Sequence, residues 1–311
     1  MKVLASRPLP GPAWDTLEDV EYLAGPLPGG IGARPRAGLE ALAVVGECVD
    51  ASSLDLLPDL RIVANYGAGY DSVDVAECTR RGVAVTNTPG VLDTAVADLT
   101  LALILAVRRR IVEADRYVRE GRWTEDWARG YLVGDDLAGA TLGIVGLGGI
   151  GRAVARRARA FDLRLLYTQR HRLEPREEEL LGVEYRAVDA LFAESDIITL
   201  HVPLNEQTRG LVDARRLSLL PDGASVVNTA RGGVVDEPAL VAELLSGRLR
   251  AALDVFAHEP GVPAALAELP NVVLTPHLGS ATNATREAMT RLVVDNLLAV
   301  ADGRPLVTPV R

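Results

Sequence analysis

Residues 141–172, TLGIVGLGGIGRAVARRARAFDLRLLYTQRHR, decide the fold. Leu142 to Val145 form an apolar run too short for a helix, with glycine beyond, which predicts a buried strand. Gly146, Gly148 and Gly151 follow with G-x-G-x-x-G spacing. After them Ile150, Ala153, Val154, Ala158 and Phe161 share one helical face, and Arg152, Arg156, Arg157 and Arg159 lie mostly off it. A second apolar run, Leu163 to Tyr167, completes strand–turn–helix–strand. Set between a strand and a helix inside a unit of about 30 residues, the glycine pattern predicts a dinucleotide site.

Each glycine has a physical task there. Gly146 permits the tight turn, Gly148 lets backbone approach a pyrophosphate, and Gly151 lets the helix pack close to the sheet. The free N–H groups and positive dipole end of the helix then face the phosphates. The end of the second strand selects the dinucleotide. An NAD site usually has Asp or Glu there for the ribose 2′-hydroxyl, whereas this chain has Thr168-Gln169-Arg170-His171-Arg172 and no carboxylate until Glu174. Two guanidiniums beside a neutral Gln suit a 2′-phosphate, because arginine forks onto phosphate with charge-assisted hydrogen bonds. NADPH is the expected cofactor; a merely solvated basic turn would leave NADH possible.

The chain has 311 residues, 48% of them apolar, enough for two domains and a large core. A net charge of −9 with no basic stripe argues against nucleic acid as a partner. Lys2 is the only lysine, so Schiff-base chemistry has no other candidate. Cys48 and Cys78 are too few and too ordinarily placed for a disulfide framework or a zinc site, and are expected to be small buried residues; no metal is expected. The N-terminus lacks a signal-like segment, and the longest apolar run, residues 95–107, is interrupted by Asp98 and too short to span a bilayer. A soluble, cytoplasmic protein without a membrane partner is the expectation.

Residues 1 to about 90 alternate strand-like runs (3–5, 20–23, 41–45, 61–65 and 83–86) with helical patterns, as in a small parallel α/β unit. Residues 25–38, rich in Gly and Pro, read as a loop. Gly67-Ala68-Gly69, after the fourth run, can form an anion-binding concavity or simply a strand-to-helix turn. A long helical run over about 93–119 suits a connection between domains, and Trp123, Trp127 and Tyr131 beyond it read as core or interface packing rather than catalytic groups. Strands at 197–200, 224–227, 251–254 and 272–274 then alternate with helices. The helix at 238–246 should be capped by Asp236 and ended by Gly247, and a final helix spans about 283–301.

In an open parallel sheet, ligands bind beyond the carboxyl ends of the strands. Arg231 follows the strand at 224–227, Asp254 ends the next with Glu259 five residues on, and His277 follows the strand after that. All would share a rim with the Gly146 loop. Their chemistry suits carbonyl reduction. A histidine can protonate the alkoxide formed as hydride reaches a carbonyl carbon. Glu259 would fix the His277 ring and raise its pKa; Arg231 can fork onto a substrate carboxylate and polarise the carbonyl. Together they call for a 2-oxo acid. Blander roles stay open: Arg231 as a structural charge, Glu259 as a cap at Pro260, His277 as a satisfied loop histidine. His258 is the rival acid, though it ends no strand. His201 is placed along the cofactor pocket and His171 at the adenosine end.

The ordered motifs GLGGIG, NTARGGVVDE, ALDVFAHEP and TPHLGSAT resemble the D-isomer-specific 2-hydroxyacid dehydrogenases over essentially the whole chain; TNTPGVL, YTQRHR and HLGSAT resemble their glyoxylate/hydroxypyruvate reductase branch. The resemblance implies an α/β protein of two Rossmann-like or flavodoxin-like parallel-sheet domains with the active-site cleft between them. Residues 1–92 and 278–311 would form a discontinuous substrate-binding domain, and 93–277 the NAD(P)-binding domain. Arg231, Glu259 and His277 would be catalytic, with Arg231, His277 and the Ala68 and Gly69 amides on the substrate. Along the cofactor it implies Gly146, Leu147, Gly148, Gly149, Ile150, Gly151, Gln169, Arg170, His171, Arg172, Val202, Pro203, Thr208, Thr229, Ala230, Asp254 at the nicotinamide amide, His277 and Gly279. It also implies a homodimer docked through the nucleotide domains, and domain closure that excludes water.

Two departures stand out: Gly149 sits where the family often has Arg, and the first domain is shortened around 25–38. The reading is an NADPH-preferring reductase of small 2-oxo acids, taking glyoxylate to glycolate and hydroxypyruvate to D-glycerate. Alternatives are a 2-ketogluconate or broad-specificity 2-ketoacid reductase and, from another class, an NAD(P)-sensing corepressor-like binding protein.

Overall fold

Parallel pairing organises every sheet in the computed structural model, which describes residues 1–124 and 132–310. The chain divides into two units, Met1–Leu92 with Ser280–Arg311, and Asp93–Gly279. In the first, β1 (Val3–Ala5), β2 (Val20–Tyr22), β3 (Ala41–Val44), β4 (Ile62–Asn65) and β5 (Ala84–Thr86) lie in the order β2-β1-β3-β4-β5. That is flavodoxin-like winding. β3 and β4 are buried along their whole length, so they read as apolar runs rather than alternating ones, with Asn65 the polar end of β4. Helices α1 (Ala51–Asp55) and α2 (Val75–Arg80) are each capped by an aspartate, Asp50 and Asp74. The C-terminal helix Asn283–Ala301 packs on β4 and is capped by Thr282, whose hydroxyl accepts from Thr285 N–H. Within 25–38 a single turn, Gly29–Ile31, anchors Ile31 in the core.

The second unit adds β6 (Thr141–Val145), β7 (Arg164–Thr168), β8 (Val183–Tyr185), β9 (Ile197–Leu200), β10 (Ser225–Asn228), β11 (Arg250–Leu253) and β12 (Val272–Leu274), ordered β12-β11-β10-β9-β6-β7-β8. Chain order reverses between β6 and β9, which makes their carboxyl ends the topological switch point. Helix α3 (Asp93–Arg108) covers one face. Alternate residues of β6 serve opposite cores: Leu142 and Ile144 meet Leu101 and Ile104 of α3, while Val145 packs with Leu191 and Phe192 on the other side.

The structure corrects two expectations and adds a strand. The long helix over 93–119 is two, because Arg110 adopts φ 53° between α3 and α4 (Ile111–Arg119). α3 is held by buried apolar contacts, whereas α4 has no buried residue, and Arg110 forks onto Glu113 to start it afresh. Cys48 is exposed in the turn after β3, and only Cys78 is buried. β8, a three-residue edge strand, was too short to show in the sequence. Trp123 is exposed and so lies outside the core, and Trp127 and Tyr131 lie outside the described residues. No helix among the described residues is long and apolar enough to cross a membrane.

Gly143 faces the core of Leu191 and Ile198, where a Cβ would overlap Ser195 Oγ and stand 2.7 Å from Ile198 Cδ1 and 3.1 Å from Leu191 Cγ. Gly143→Ala should therefore lower unfolding free energy by about 1–3 kcal/mol through overpacking. Denaturant titration measures it, and an unchanged midpoint with unchanged slope would contradict this packing.

Candidate active site

At the turn from β6 into α5 (Gly149–Ala158), only glycine can hold the backbone. Gly146 has φ 93°, and a Cβ there would lie 2.7 Å from the His201 carbonyl oxygen and 2.8 Å from Val202 Cγ1. A Cβ on Gly151 would overlap the Gly146 carbonyl, so the first turn of α5 sits directly against the strand end. Gly148, which caps α5, is exposed and has open space where a Cβ would be. The open space at Gly148 lies at the positive end of the α5 dipole, beside the first N–H groups of the helix, a cradle that fits a pyrophosphate. Gly149 has a reason of its own: a Cβ there would overlap the Asp93 carboxylate. Burial pushes the Asp93 carboxyl above its ordinary value against the opposing pull of Arg156.

Gln169 ties this loop to the end of β7. Its Oε1 accepts from Leu147 N–H at 3.2 Å, and its Nε2 donates to the His171 carbonyl at 2.6 Å. Arg170 is exposed and donates to His171 Nε2 at 3.2 Å. Arg172 is turned onto Glu178, in helix α6 (Pro175–Leu181), by a two-point ion pair. His201 bonds Thr199 Oγ1 through Nε2 at 3.0 Å, and burial pushes its imidazole down to about 3, so it is neutral. Thr208 satisfies its own loop, donating to the Pro203 carbonyl at 2.5 Å, and Thr229 pairs with Thr100 at 3.1 Å.

The carboxyl ends of β10, β11 and β12 bring together the charged set. Buried Asn228 clamps the turn that carries Arg231: its Oδ1 accepts from Ala230 N–H and its Nδ2 donates to the Arg231 carbonyl. Gly232 then passes so close to Phe256 that no side chain fits, which places Arg231 by the segment bearing Glu259. Asp254 is fully buried; it accepts from Thr275 Oγ1 at 2.6 Å, Leu278 N–H at 2.7 Å and Gly279 N–H at 2.8 Å. These bonds hold His277 at φ 54°, a left-handed conformation that costs about 1–3 kcal/mol and needs such support.

His277 Nδ1 lies 2.7 Å from Glu259 Oε2. An ionised carboxylate can only accept, so Nδ1 carries the hydrogen and Nε2 is directed away from Glu259. Burial acts to raise the Glu259 carboxyl, but hydrogen bonds from His277 and Phe256 N–H, with the charges of His277 and Arg231, outweigh it and hold it below its ordinary value. His258 is exposed, and Glu259 pairs with His277 instead.

In the first unit, Asn65 Nδ2 donates to the Gly67 and Gly69 carbonyls and Asn87 Nδ2 to that of Ala68. In trans peptides the next N–H points opposite to each carbonyl, so the Ala68 and Gly69 N–H groups face away from these amides. Among the described residues no group of three or more His, Cys, Asp or Glu could hold a metal ion. Sequence reasoning missed Asn228, Asp93 and Glu178. Only Asp93 left a trace, in the absence of a side chain at Gly149.

Residues 101–279 match the D-isomer specific 2-hydroxyacid dehydrogenase, NAD binding domain. Glyoxylate reductase from Thermococcus litoralis is 47% identical over 266 residues, 84% of this chain and 80% of that protein. A protein from Thermus thermophilus superposes with a TM-score of 0.91 at 42% identity, covering both chains completely. The NADPH-dependent glyoxylate/hydroxypyruvate reductase of Sinorhizobium meliloti, solved with NADP and malonate, gives 0.88 at 36% identity over 99% of this chain and 96% of its own. Fold, glycine cradle and relatives define an NAD(P)-dependent dehydrogenase. The chain belongs to the D-isomer-specific 2-hydroxyacid dehydrogenase family, in its glyoxylate reductase branch.

Glu259 has a lowered folded pKa, so its contribution to stability is present above the ordinary 4.5 and is lost as the pH falls through the lowered value. The stability advantage of the wild type over Glu259→Gln should hold from about pH 5 upward and shrink below it. Urea titrations across that range measure it; a pH-independent difference would contradict the assignment.

Proposed function

We propose that the protein is an NADPH-preferring reductase of small 2-oxo acids, converting glyoxylate to glycolate and hydroxypyruvate to D-glycerate. The observation that carries this reading is the 2.7 Å His277–Glu259 pair on the strand-end rim that also holds the glycine cradle and Arg231. Substrates of this size are supported by the names of the relatives, glyoxylate reductases among them. NADPH over NADH is supported by the exposed Arg170 and by the absence of a carboxylate at the end of β7.

When bound, the nicotinamide cofactor supplies the hydride. The amide groups at the start of α5 would hold its pyrophosphate, and Gln169 ties that turn to the end of β7. Arg231 forks onto the substrate carboxylate and polarises the adjacent carbonyl. His277 releases the proton on Nε2 to the substrate oxygen as it gains negative charge. Glu259, fixed by Phe256 N–H, keeps the ring in the tautomer and orientation that present Nε2. Asp254 acts as the anchor of the His277 loop.

A homodimer docked through the second unit is part of the proposal. The second unit exposes Ile111, Val112 and Val118 on α4, with Trp123 and Val133, apolar side chains that a second copy would cover. The free thiols of Cys48 and Cys78 suit a reducing compartment, which supports the cytoplasm.

Nicotinamide absorbance followed with NADPH and NADH against glyoxylate, hydroxypyruvate, pyruvate and 2-ketogluconate tests the whole reading. The expected result is the highest kcat/KM for glyoxylate or hydroxypyruvate with NADPH. Preference for 2-ketogluconate would reassign the substrate, and cofactor binding without turnover would make the chain a sensor. His277→Asn should lower kcat by at least about a thousandfold while cofactor affinity stays within about twofold; retained turnover would move the acid to another residue. Arg231→Lys should raise KM for the oxo acid and lower kcat with cofactor affinity spared.

A further inference from the structure

The turn after β7 carries two arginines, and the fold treats them differently. Arg170 is exposed and reaches only its neighbour His171, at 3.2 Å. Arg172 spends its fork within the protein: Nε donates to Glu178 Oε1 and Nη2 to Oε2, each at 2.8 Å. Glu178 is fixed in turn. Its side chain is 12% exposed against 60% for Arg172, and Oε1 also accepts from the hydroxyl of fully buried Tyr167 at 2.7 Å. Tyr167 is itself pinned by Leu173 N–H at 2.9 Å, and the Arg172 guanidinium lies 5.5 Å over the Tyr185 ring.

We propose that Glu178 is a cofactor-specificity residue: by closing Arg172 in a two-point ion pair, it leaves Arg170 to read the 2′-phosphate and sets how strong the discrimination is. The proposal rests on the NADPH reading above. For Arg172 to meet a phosphate it must give up one bidentate carboxylate for another anion, an exchange with little net gain. The exchange would also strand the mostly buried Glu178 charge near an incoming dianion. Arg170 gives up only one long contact to a neighbouring ring. Arg172 and Tyr167 hold the Glu178 carboxyl at about 2, so the pair stays closed at any working pH. The same helix also supplies Glu177 to Arg152, whose Nε donates to the Leu147 carbonyl of the glycine loop. The carboxylates of α6 thus set how much positive charge surrounds the adenosine end.

The test is calorimetric affinity for NADP+ and NAD+, with kcat/KM for both reduced cofactors, in the wild type, Arg170→Ala, Arg172→Ala and Glu178→Gln. Arg170→Ala should lower the NADP+:NAD+ affinity ratio about tenfold, and Arg172→Ala should leave it within about twofold. Glu178→Gln, which keeps an acceptor for Tyr167 but frees the guanidinium, should raise the ratio at least about threefold through NADP+ alone. The proposal is overturned if Arg172→Ala lowers the ratio as far as Arg170→Ala does. It is also overturned if Glu178→Gln leaves the ratio unmoved or weakens both cofactors equally, as a merely structural role would. If Glu178→Gln does not fold, the Arg172→Ala comparison decides. A wild-type ratio near one would defeat the NADPH reading instead, and a rise on Glu178→Gln would still establish that Glu178 withholds Arg172.

Discussion

A buried carboxylate, Asp254, governs where the chemistry of this chain can stand. A charge with no exposure survives only if fully compensated, and here a hydroxyl and two backbone N–H groups supply that compensation. All three come from residues 275–279, so desolvating one aspartate fixes the whole segment that carries His277. The left-handed backbone of His277 follows from this tether, since no local feature of Thr275-Pro276-His277-Leu278 would choose it.

Close backbone approach is the second constraint, and it acts wherever two strand ends must share a ligand. Gly146 is forced by the carbonyl of His201 beyond β9, Gly151 by the carbonyl of Gly146, and Gly232 by Phe256 beyond β11. Each is a place where a methyl group would push one strand-end turn away from the next. The rim is therefore narrow because its glycines let it be, and side chains then divide the remaining space. Asp93 fills the volume over Gly149 that a longer residue there would need, so those two positions cannot be considered separately.

How much of this was legible in the sequence depends on how far apart the causes lie. The β6–α5–β7 unit was readable because its apolar runs and its glycines are contiguous, and the helix Glu237–Leu245 because Asp236, Pro238 and Gly247 bracket it within a dozen residues. Arg231, Glu259 and His277 could be gathered only through the rule that strand ends converge. The partner of Arg172 was not legible, since six residues separate it from Glu178 and nothing local says that α6 folds back on β7. The break at Arg110 escaped for a similar reason: both α3 and α4 have helical composition, and only the burial of the first separates them. Cys48 was misplaced because small apolar residues are usually buried, and a position in the turn after β3 overrides that tendency.

Three carboxylates in the second unit show how environment rather than residue type assigns a role. Asp254 is enclosed by backbone donors and serves as a tether. Glu178 is enclosed by an arginine and a tyrosine and serves to withhold positive charge. Glu259 is half satisfied by Phe256 N–H and spends its other oxygen on His277, leaving the pair on the rim where a substrate could reach it. Of the three, Glu259 is the one hydrogen-bonded to an imidazole. A carboxylate closed by a guanidinium, as Glu178 is, has a partner that never titrates. The proposed proton transfer therefore rests on the Glu259–His277 pair, Glu259 being the one of these carboxylates that meets an imidazole.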